Sequence, residues 1–370
     1  MLNVLLYTFL LCVGIQLIYY LFIFARFSFS KDQAPKNDSD LPISVMICAK
    51  NESENLREFI PLILQQAYSN FELLLVNDHS SDDSLSVMED FQTKFPEKVK
   101  VVNVEEGPTF RGNKKYALTL GIRTAQHSYL VFTDADCRPI SQNWLSCMAS
   151  GFSESKDIVL GYGAYEKIKG SFLNKLIRYE TVLSAIQYFS YAKIGLPYMG
   201  VGRNLAYKKE LFYHANGFEE HMEIMSGDDD LFINQVASKQ NVALQYQHNS
   251  FTVSLAKKSW RAWFRQKRRH ISTAYHYRLE HRILLALFFL STLLFWGLGI
   301  ALVMISKLWP WVAMAFLLRM IIQYLVIGYG AKKLKETDIW WLVPVLEVTL
   351  IIFHFTIFIV NRISTPTHWK

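Results

Sequence analysis

The chain has 370 residues, room for one sizeable folded domain and smaller elements but hardly for two large domains. Apolar residues make up 51% and aromatic residues 15%, more than a purely soluble domain needs, and the excess gathers at the two ends. A formal charge of +7 admits nucleic acid, an anionic membrane face or a phosphorylated substrate, while the four cysteines (Cys12, Cys48, Cys137, Cys147) lack metal-ligand spacing, exclude a dense disulfide framework and read as reduced thiols.

Residues 2–25 contain no charge and are long enough to span a bilayer as a helix. A cleaved signal peptide is the alternative; the missing basic start, the length and the poor cleavage context Arg26-Phe27-Ser28 speak against it. Polar residues with Pro35, Asn37 and Asp38 then mark a linker over 27–41.

Beyond it, 43–49 reads as a buried strand, followed by Lys50-Asn51-Glu52 and an amphipathic helix through Ala67. A strand over 71–76 ends in Asn77-Asp78, a helix covers 84–95 and a third strand 99–104. A helix over 114–124 leads to the strand 129–133, which delivers Asp134-Ala135-Asp136. Strands alternating with helices predict a largely parallel α/β sheet covered on both faces, with ligands outside the carboxyl ends of its strands. Those ends carry Glu52, Asp78, Asp134 and Asp136.

Asp-x-Asp triplets are common, and Asp38-Ser39-Asp40 in the linker has no such setting. The strand before Asp134 and Asp136 aims the later pair into the ligand crevice, where two carboxylates suit Mg²⁺ or Mn²⁺ shared with substrate phosphates; a turn or helix-capping pair is the plainer alternative. Asp78 suits a ribose hydroxyl or a base N–H, or else caps a helix that Ser81 to Asp83 are better placed to cap. Lys114 offers charge to a phosphate, and a solvated lysine explains it equally well. Gly200-Val201-Gly202-Arg203-Asn204 follows, then Ser226-Gly227-Asp228-Asp229-Asp230. The three acids favour a helix N-terminus and, by crowding, also make a proton acceptor.

The stretch 260–270 is basic and aromatic, and reads as a helix over 259–282 in the membrane interface, meeting lipid headgroups. Three apolar runs, 283–305, 308–329 and 339–360, close the chain as an up-down series. Arg26, Lys31, Arg278, Arg282, Lys332, Lys333 and Lys335 fall on one side of four spans, and Lys307, Arg362 and Lys370 on the other. The large middle segment is therefore expected in the cytoplasm with both termini outside, and the basic excess needs no nucleic acid. Arg319 and Glu347 fall near mid-span, as a structural ion pair or as a contact for a lipid phosphate or lipid-linked acceptor.

Taken in order, 45–55, 74–82, 112–121, 131–136, 200–207, 216–218, 227–231 and 266–270 resemble glycosyltransferase family 2, the inverting enzymes of the GT-A fold. The resemblance covers about residues 42–282 and implies a Rossmann-like nucleotide-sugar-binding domain over 42–258. An anchor (1–26) and linker (27–41) precede it, and the interfacial helix (259–282), three transmembrane helices (283–361) and a tail (362–370) follow, giving one N-terminal and three C-terminal spans. It implies a nucleotide-sugar donor, most often UDP-linked, held by Glu52, Asp78, Lys114, Asp134, Gln266 and Arg269. Asp136, with Asp134, would hold the metal; Asp229, with Asp228 as the alternative, would take the acceptor proton; and Arg203 and Asn204 would lie on the acceptor side.

Gln266-x-x-Arg269 is similar to the Gln-x-x-Arg-Trp motif of membrane polysaccharide synthases, but His270 stands where those enzymes have tryptophan, and Thr119 replaces a common asparagine. The expectation is hexosyl transfer to a lipid-linked saccharide, glycolipid or other glycan at the cytoplasmic leaflet. A processive polysaccharide synthase is the alternative, and a non-catalytic membrane scaffold the alternative of another class. A nucleotidyltransferase shares the sheet and metal carboxylates but is not expected to carry the 227–231 and 266–269 elements together.

Overall fold

The computed structural model describes residues 2–31, 40–105 and 114–364. Most of the expected linker, Arg111-Gly112-Asn113 and the tail beyond Ser364 lie outside the described residues. The chain divides into two compact units, one of Asp32–Glu166 with Pro197–Ala256, the other of Met1–Lys31, Lys167–Leu196 and Lys257–Pro366. The expected boundaries follow the chain continuously, whereas these units do not: Lys167–Leu196 leaves the 42–258 segment and groups with the apolar helices.

Among the described residues the first unit is built on ten short strands: β1 (Ile43–Ala49), β2 (Phe71–Asp78), β3 (Val99–Val104), β4 (Tyr129–Asp134), β5 (Cys137–Pro139), β6 (Ile158–Leu160), β7 (Gly163–Tyr165), β8 (Leu205–Lys208), β9 (Val242–Leu244) and β10 (Thr252–Ser254). Seven form a sheet in the order β3-β2-β1-β4-β8-β6-β9, and β5-β10-β7 form a second sheet. Every residue of β1 and β2 is buried, as a parallel strand covered on both faces requires. On one face Leu56, Ile60 and Ile63 of the helix Ser53–Leu64 join Ile43, Val45 and Ile47 in a single core. The helix Lys114–Thr124 approaches Met46 and Val76, and a Cβ at Gly121 would lie 2.7 Å from side-chain atoms of both. Glycine is what permits this close seating.

Strand 99–104 and helix 114–124 fall where the sequence places them, while β2 and β4 run on to include Asp78 and Asp134. The first helix stops at Leu64 instead of Ala67, because the Ala67 amide is taken by the Gln142 carbonyl at 2.8 Å. The sheet is parallel from β3 to β4 and again between β6 and β9; β8 runs antiparallel to both β4 and β6, pairing Leu205 with Phe132 and Lys208 with Tyr129. Being antiparallel, β8 starts where β4 ends, which brings Gly202–Asn204 to the edge that carries Asp134.

Among the described residues the second unit contains four helices long and apolar enough to cross a membrane: Leu2–Ser28, Leu279–Ile305, Trp309–Lys333 and Thr337–Ile363. In the first, a π-helical turn at Tyr19–Phe24 leaves the Phe24 carbonyl to accept from Ser190 Oγ at 3.3 Å. Arg319 and Glu347 form a two-pronged pair, Nη1–Oε2 at 2.9 Å and Nη2–Oε1 at 2.8 Å. Gln16 Oε1 accepts from the guanidinium at 2.8 Å, and Gln323 and Trp296 donate to the carboxylate at 2.6 and 2.8 Å. One polar cluster thus draws a residue from each of the four helices, and with Arg319 at 0% exposure the ion-pair reading fits, not a lipid contact.

The basic aromatic segment is a helix, Trp260–Thr273. It does not lie free over its whole length: Trp263 is buried and stacks on Phe353 at 4.0 Å, and Lys267 pairs with Glu180 at 2.7 Å. Arg261 and Arg265 stay exposed.

Removing one partner of a buried pair strands the other, at about 3–5 kcal/mol, whereas replacing both with apolar groups is often close to neutral. Glu347→Leu is expected to lower the thermal midpoint of the detergent-solubilised protein sharply, and Arg319→Met with Glu347→Leu to recover more than half of the loss.

Candidate active site

The carboxyl ends of β1, β2 and β4 share one edge of the sheet. Glu52 sits at the N-terminal boundary of the helix after β1 without a side-chain capping bond, its carboxylate accepting from Asn55 Nδ2 at 2.6 Å and its amide donating to Ser84 Oγ at 2.8 Å. Asp78 closes β2, is 1% exposed, and its Oδ2 has no hydrogen-bond partner among the described residues. Burial pushes this carboxyl above its ordinary range, against the pull of Lys50, His79 and Lys114. A buried acceptor without a donor is costly, and a ligand N–H or hydroxyl would satisfy it.

Asp134 ends β4, and Lys114 opens the helix that seats at Gly121. The Lys114 ammonium lies 3.0 Å from Asp134 Oδ1 and 2.8 Å from Asp228 Oδ2. Burial disfavours its charge, but Asp134 and Asp228 outweigh burial and hold the group well above the usual lysine range. Lys114 is therefore the bridge between two acidic segments far apart in sequence, which excludes a solvated surface lysine.

Gly227 adopts φ +98°, a left-handed turn that presents Asp228 and Asp229 to different partners. Asp228 faces Lys114, and although burial opposes ionisation, that lysine keeps it below its ordinary range. Asp229 Oδ2 accepts from the Gly202 amide at 2.6 Å, and its Oδ1 caps the helix Asp230–Val236 through the Asp230 amide at 2.8 Å. The residue expected to take the acceptor proton is thus also the helix cap. Burial, then Asp228 and Asp230, raise its carboxyl to about 7, where it exchanges protons near neutrality. One cleft is lined by Lys114, Thr133, Asp134, Gly202, Asp228 and Asp229.

Asp136 stands beside this cleft. Burial, then Asp134 and Glu52, push its carboxyl up, and Arg203 pulls the other way. Ligand atoms of Asp134, Asp136 and Cys137 lie within 4.8 Å of one another. Crowded hard oxygens that repel each other fit a divalent cation, which would relieve the repulsion. Cys137 was not expected here; its thiol lies 2.9 Å from Ser254 Oγ, and burial holds it well above the usual thiol range.

Arg203 stacks over Tyr165 at 4.3 Å and donates to the Ala164 carbonyl and Ser254 Oγ, both at 3.2 Å. Asn204, expected on the acceptor side, is corrected by its surroundings. It is 0% exposed, donates to the Tyr162 and Ser250 carbonyls at 2.9 and 2.7 Å, and accepts from Trp144 Nε1 at 3.0 Å. Its polar atoms are used in holding strands together, so none reaches an acceptor. Gln266 and Arg269 lie one turn apart on the helix Trp260–Thr273 of the other unit. Sequence reasoning also missed the Gly202 amide and buried Lys115; only the doubled lysine at 114–115 signalled the latter.

Residues 44–215 match the model of Glycosyl transferase family 2. The chain is 30% identical over 132 residues to the glycosyltransferase GlyG of Streptococcus pneumoniae serotype 4, covering 35% of this chain and 42% of GlyG. It is also 30% identical over 121 residues to a poly-β-1,6-N-acetyl-D-glucosamine synthase of Staphylococcus epidermidis, covering 32% of this chain and 28% of the synthase. The matches span less than half the length of these curated relatives. Among solved structures, the mannosyltransferase PcManGT from Pyrobaculum calidifontis, in complex with GDP-Man and Mn²⁺, superposes with a TM-score of 0.60 at 17% identity, over 95% of this chain and 99% of that one. The likeness is one of fold, a mixed α/β sheet of the GT-A kind with apolar helices at both ends.

Asp229 keeps its proton in the folded protein up to about pH 7, whereas the unfolded chain releases it near 3.8. The folded state therefore binds more protons in between, and its stability falls as pH rises through that window. The thermal midpoint of the wild type is expected to fall relative to Asp229→Asn between about pH 4 and 7, with a constant gap above; a gap independent of pH would contradict the raised carboxyl.

Proposed function

From a chain that carries a glycosyl transferase family 2 domain, we propose that it transfers a sugar from a nucleotide-sugar donor to an acceptor at the cytoplasmic membrane surface, with inversion at the anomeric carbon. One observation carries the reading: Lys114 joins the strand-end acid Asp134 to the Asp228-Asp229 turn in a single cleft. A diphosphate and a proton acceptor are both provided for within reach of one ammonium.

In this reading the unsatisfied Oδ2 of Asp78 accepts from the base or ribose, and Lys114 gives its charge to the diphosphate. Asp134 and Asp136 would hold Mg²⁺ or Mn²⁺, offsetting negative charge on the departing nucleoside diphosphate. Asp229 takes the proton of the acceptor hydroxyl; that oxygen bonds to the anomeric carbon from the face opposite the phosphate as the carbon–phosphate-oxygen bond breaks. The Gly202 amide, held 2.6 Å from Asp229 Oδ2, fixes the direction in which the other lone pairs point. Arg203 is assigned to the acceptor side, and Gln266 and Arg269 to the diphosphate, by resemblance.

The acceptor is read as a lipid-linked saccharide or glycolipid. Four helices of spanning length support membrane attachment, and the distribution of Lys and Arg supports a cytoplasmic catalytic unit. A processive polysaccharide synthase is the second reading, favoured by Gln266-x-x-Arg269 and by the Staphylococcus epidermidis relative; product length separates the two. A scaffold without activity sits poorly with Asp78, Asp134, Asp136 and Asp229 all present at the cleft edge.

The test is incubation of the full-length protein with a panel of nucleotide sugars and Mn²⁺ or Mg²⁺, following nucleotide release with and without membrane lipids. Asp136→Asn is expected to abolish metal-dependent turnover, and near-normal turnover would remove the reading. Asp229→Asn is expected to retain nucleoside diphosphate binding while the transfer rate falls roughly 100-fold or more; unchanged transfer would move the base to Asp228.

A further inference from the structure

Two lysines open the helix Lys114–Thr124, at the end where the helix dipole disfavours cations. Lys114 is explained by the acids it bridges. Lys115 faces a different task. It is 1% exposed, and its ammonium donates to the carbonyls of His221 and Ile224, the latter at 2.8 Å. Both carbonyls lie on the turn that leads from Glu219–His221 into Gly227, Asp228 and Asp229. Burial lowers the Lys115 ammonium to about 8, with Asp228, Asp230 and Asp229 opposing. A buried ammonium at an unfavourable helix position is a local cost that ordinarily marks a site under functional constraint.

Neighbouring residues of one helix therefore hold both ends of a single loop. Lys115 takes the backbone at 221 and 224, and Lys114 takes the Asp228 carboxylate. The helix itself is seated on the sheet at Gly121, so the loop inherits a rigid reference. Between the two clamps, Gly227 makes the left-handed turn that sends Asp229 to the Gly202 amide.

We propose that Lys115 is a positioning residue for the proton-accepting carboxylate: by pinning the 221–224 turn it fixes where Gly227 delivers Asp229. The inference rests on Asp229 being the base. Lys115 touches no reacting atom in this scheme and acts only through the loop.

The test compares Lys115→Met, which removes both donated bonds, with Lys115→Arg, which keeps charge and donors, in the full-length protein. A misplacement near 1 Å costs about 100-fold in rate. Lys115→Met is therefore expected to lower kcat by about that factor on the nucleotide sugar the wild type uses, with donor KM and the binding of UDP or GDP with Mn²⁺ within twofold. Lys115→Arg should recover much of kcat. Hydrogen exchange should show amides of 222–230 losing protection in Lys115→Met and regaining it in Lys115→Arg. Wild-type kcat in Lys115→Met, a parallel loss of nucleotide binding, or unchanged exchange overturns the proposal. Should Lys115→Met not fold, Lys115→Gln is read by the same criteria. Normal transfer by Asp229→Asn refutes Asp229 as the base on which this inference rests, whereas an inactive Asp229→Asn beside a normal Lys115→Met refutes the role of Lys115 alone.

Discussion

One partly buried ammonium, that of Lys114, sets the geometry of the catalytic unit. Lys114 holds Asp134 at the end of a central strand and Asp228 in a loop reached only after a long excursion of the chain. Each carboxylate would be expensive to bury alone, and the ammonium more so; together they are tolerable because opposite charges meet at hydrogen-bond distance. The arrangement also divides labour between adjacent acids. Asp228, facing the lysine, stays ionised, while Asp229, turned to the Gly202 amide, is driven towards neutrality by burial and by its neighbours. Two carboxylates of one sequence type acquire different chemistry from the direction in which Gly227 turns them.

How much of this was readable in the sequence depends on whether a feature is local. β1 announces itself because a strand covered on both faces needs an unbroken apolar run, and Asp134 because such a run points at it. The four apolar helices are legible for the same reason, since spanning length is a property of one segment. Pairing across distance is not local. Nothing near Leu205 states that β8 runs against β4, and it is that reversal which brings Gly202 to Asp229. Asn204 misleads by the same token. The resemblance implied the acceptor side for it, but its partners Trp144, Tyr162 and Ser250 come from three other segments and leave it sealed in the fold. Asp228 and Asp229 could not be separated by spacing, because their difference resides in a backbone angle at Gly227.

The three-stranded sheet has a supporting role at the same edge. β5 begins at Cys137, directly after the acidic triplet, and pairs with β10, whose Ser254 meets both the Cys137 thiol and Arg203. Asp136 is thus tied on its carboxyl side to a small sheet and on its amino side to the last residue of β4. An acid fixed from both directions would lose little freedom on binding a cation, and the crowding that raises its carboxyl is part of the resting structure.

The polar cluster in the apolar unit bears on how the chain is made. Arg319 belongs to the third of the four apolar helices, Glu347 to the fourth, and Gln16 to the first. Until the fourth helix emerges during synthesis, the third carries an arginine whose carboxylate partner does not yet exist, an unfavourable state in hydrocarbon. Were these helices to span a bilayer, the last two would be favoured as a hairpin, with the first at hand to close the cluster. Order of assembly, as well as final stability, is written into one guanidinium.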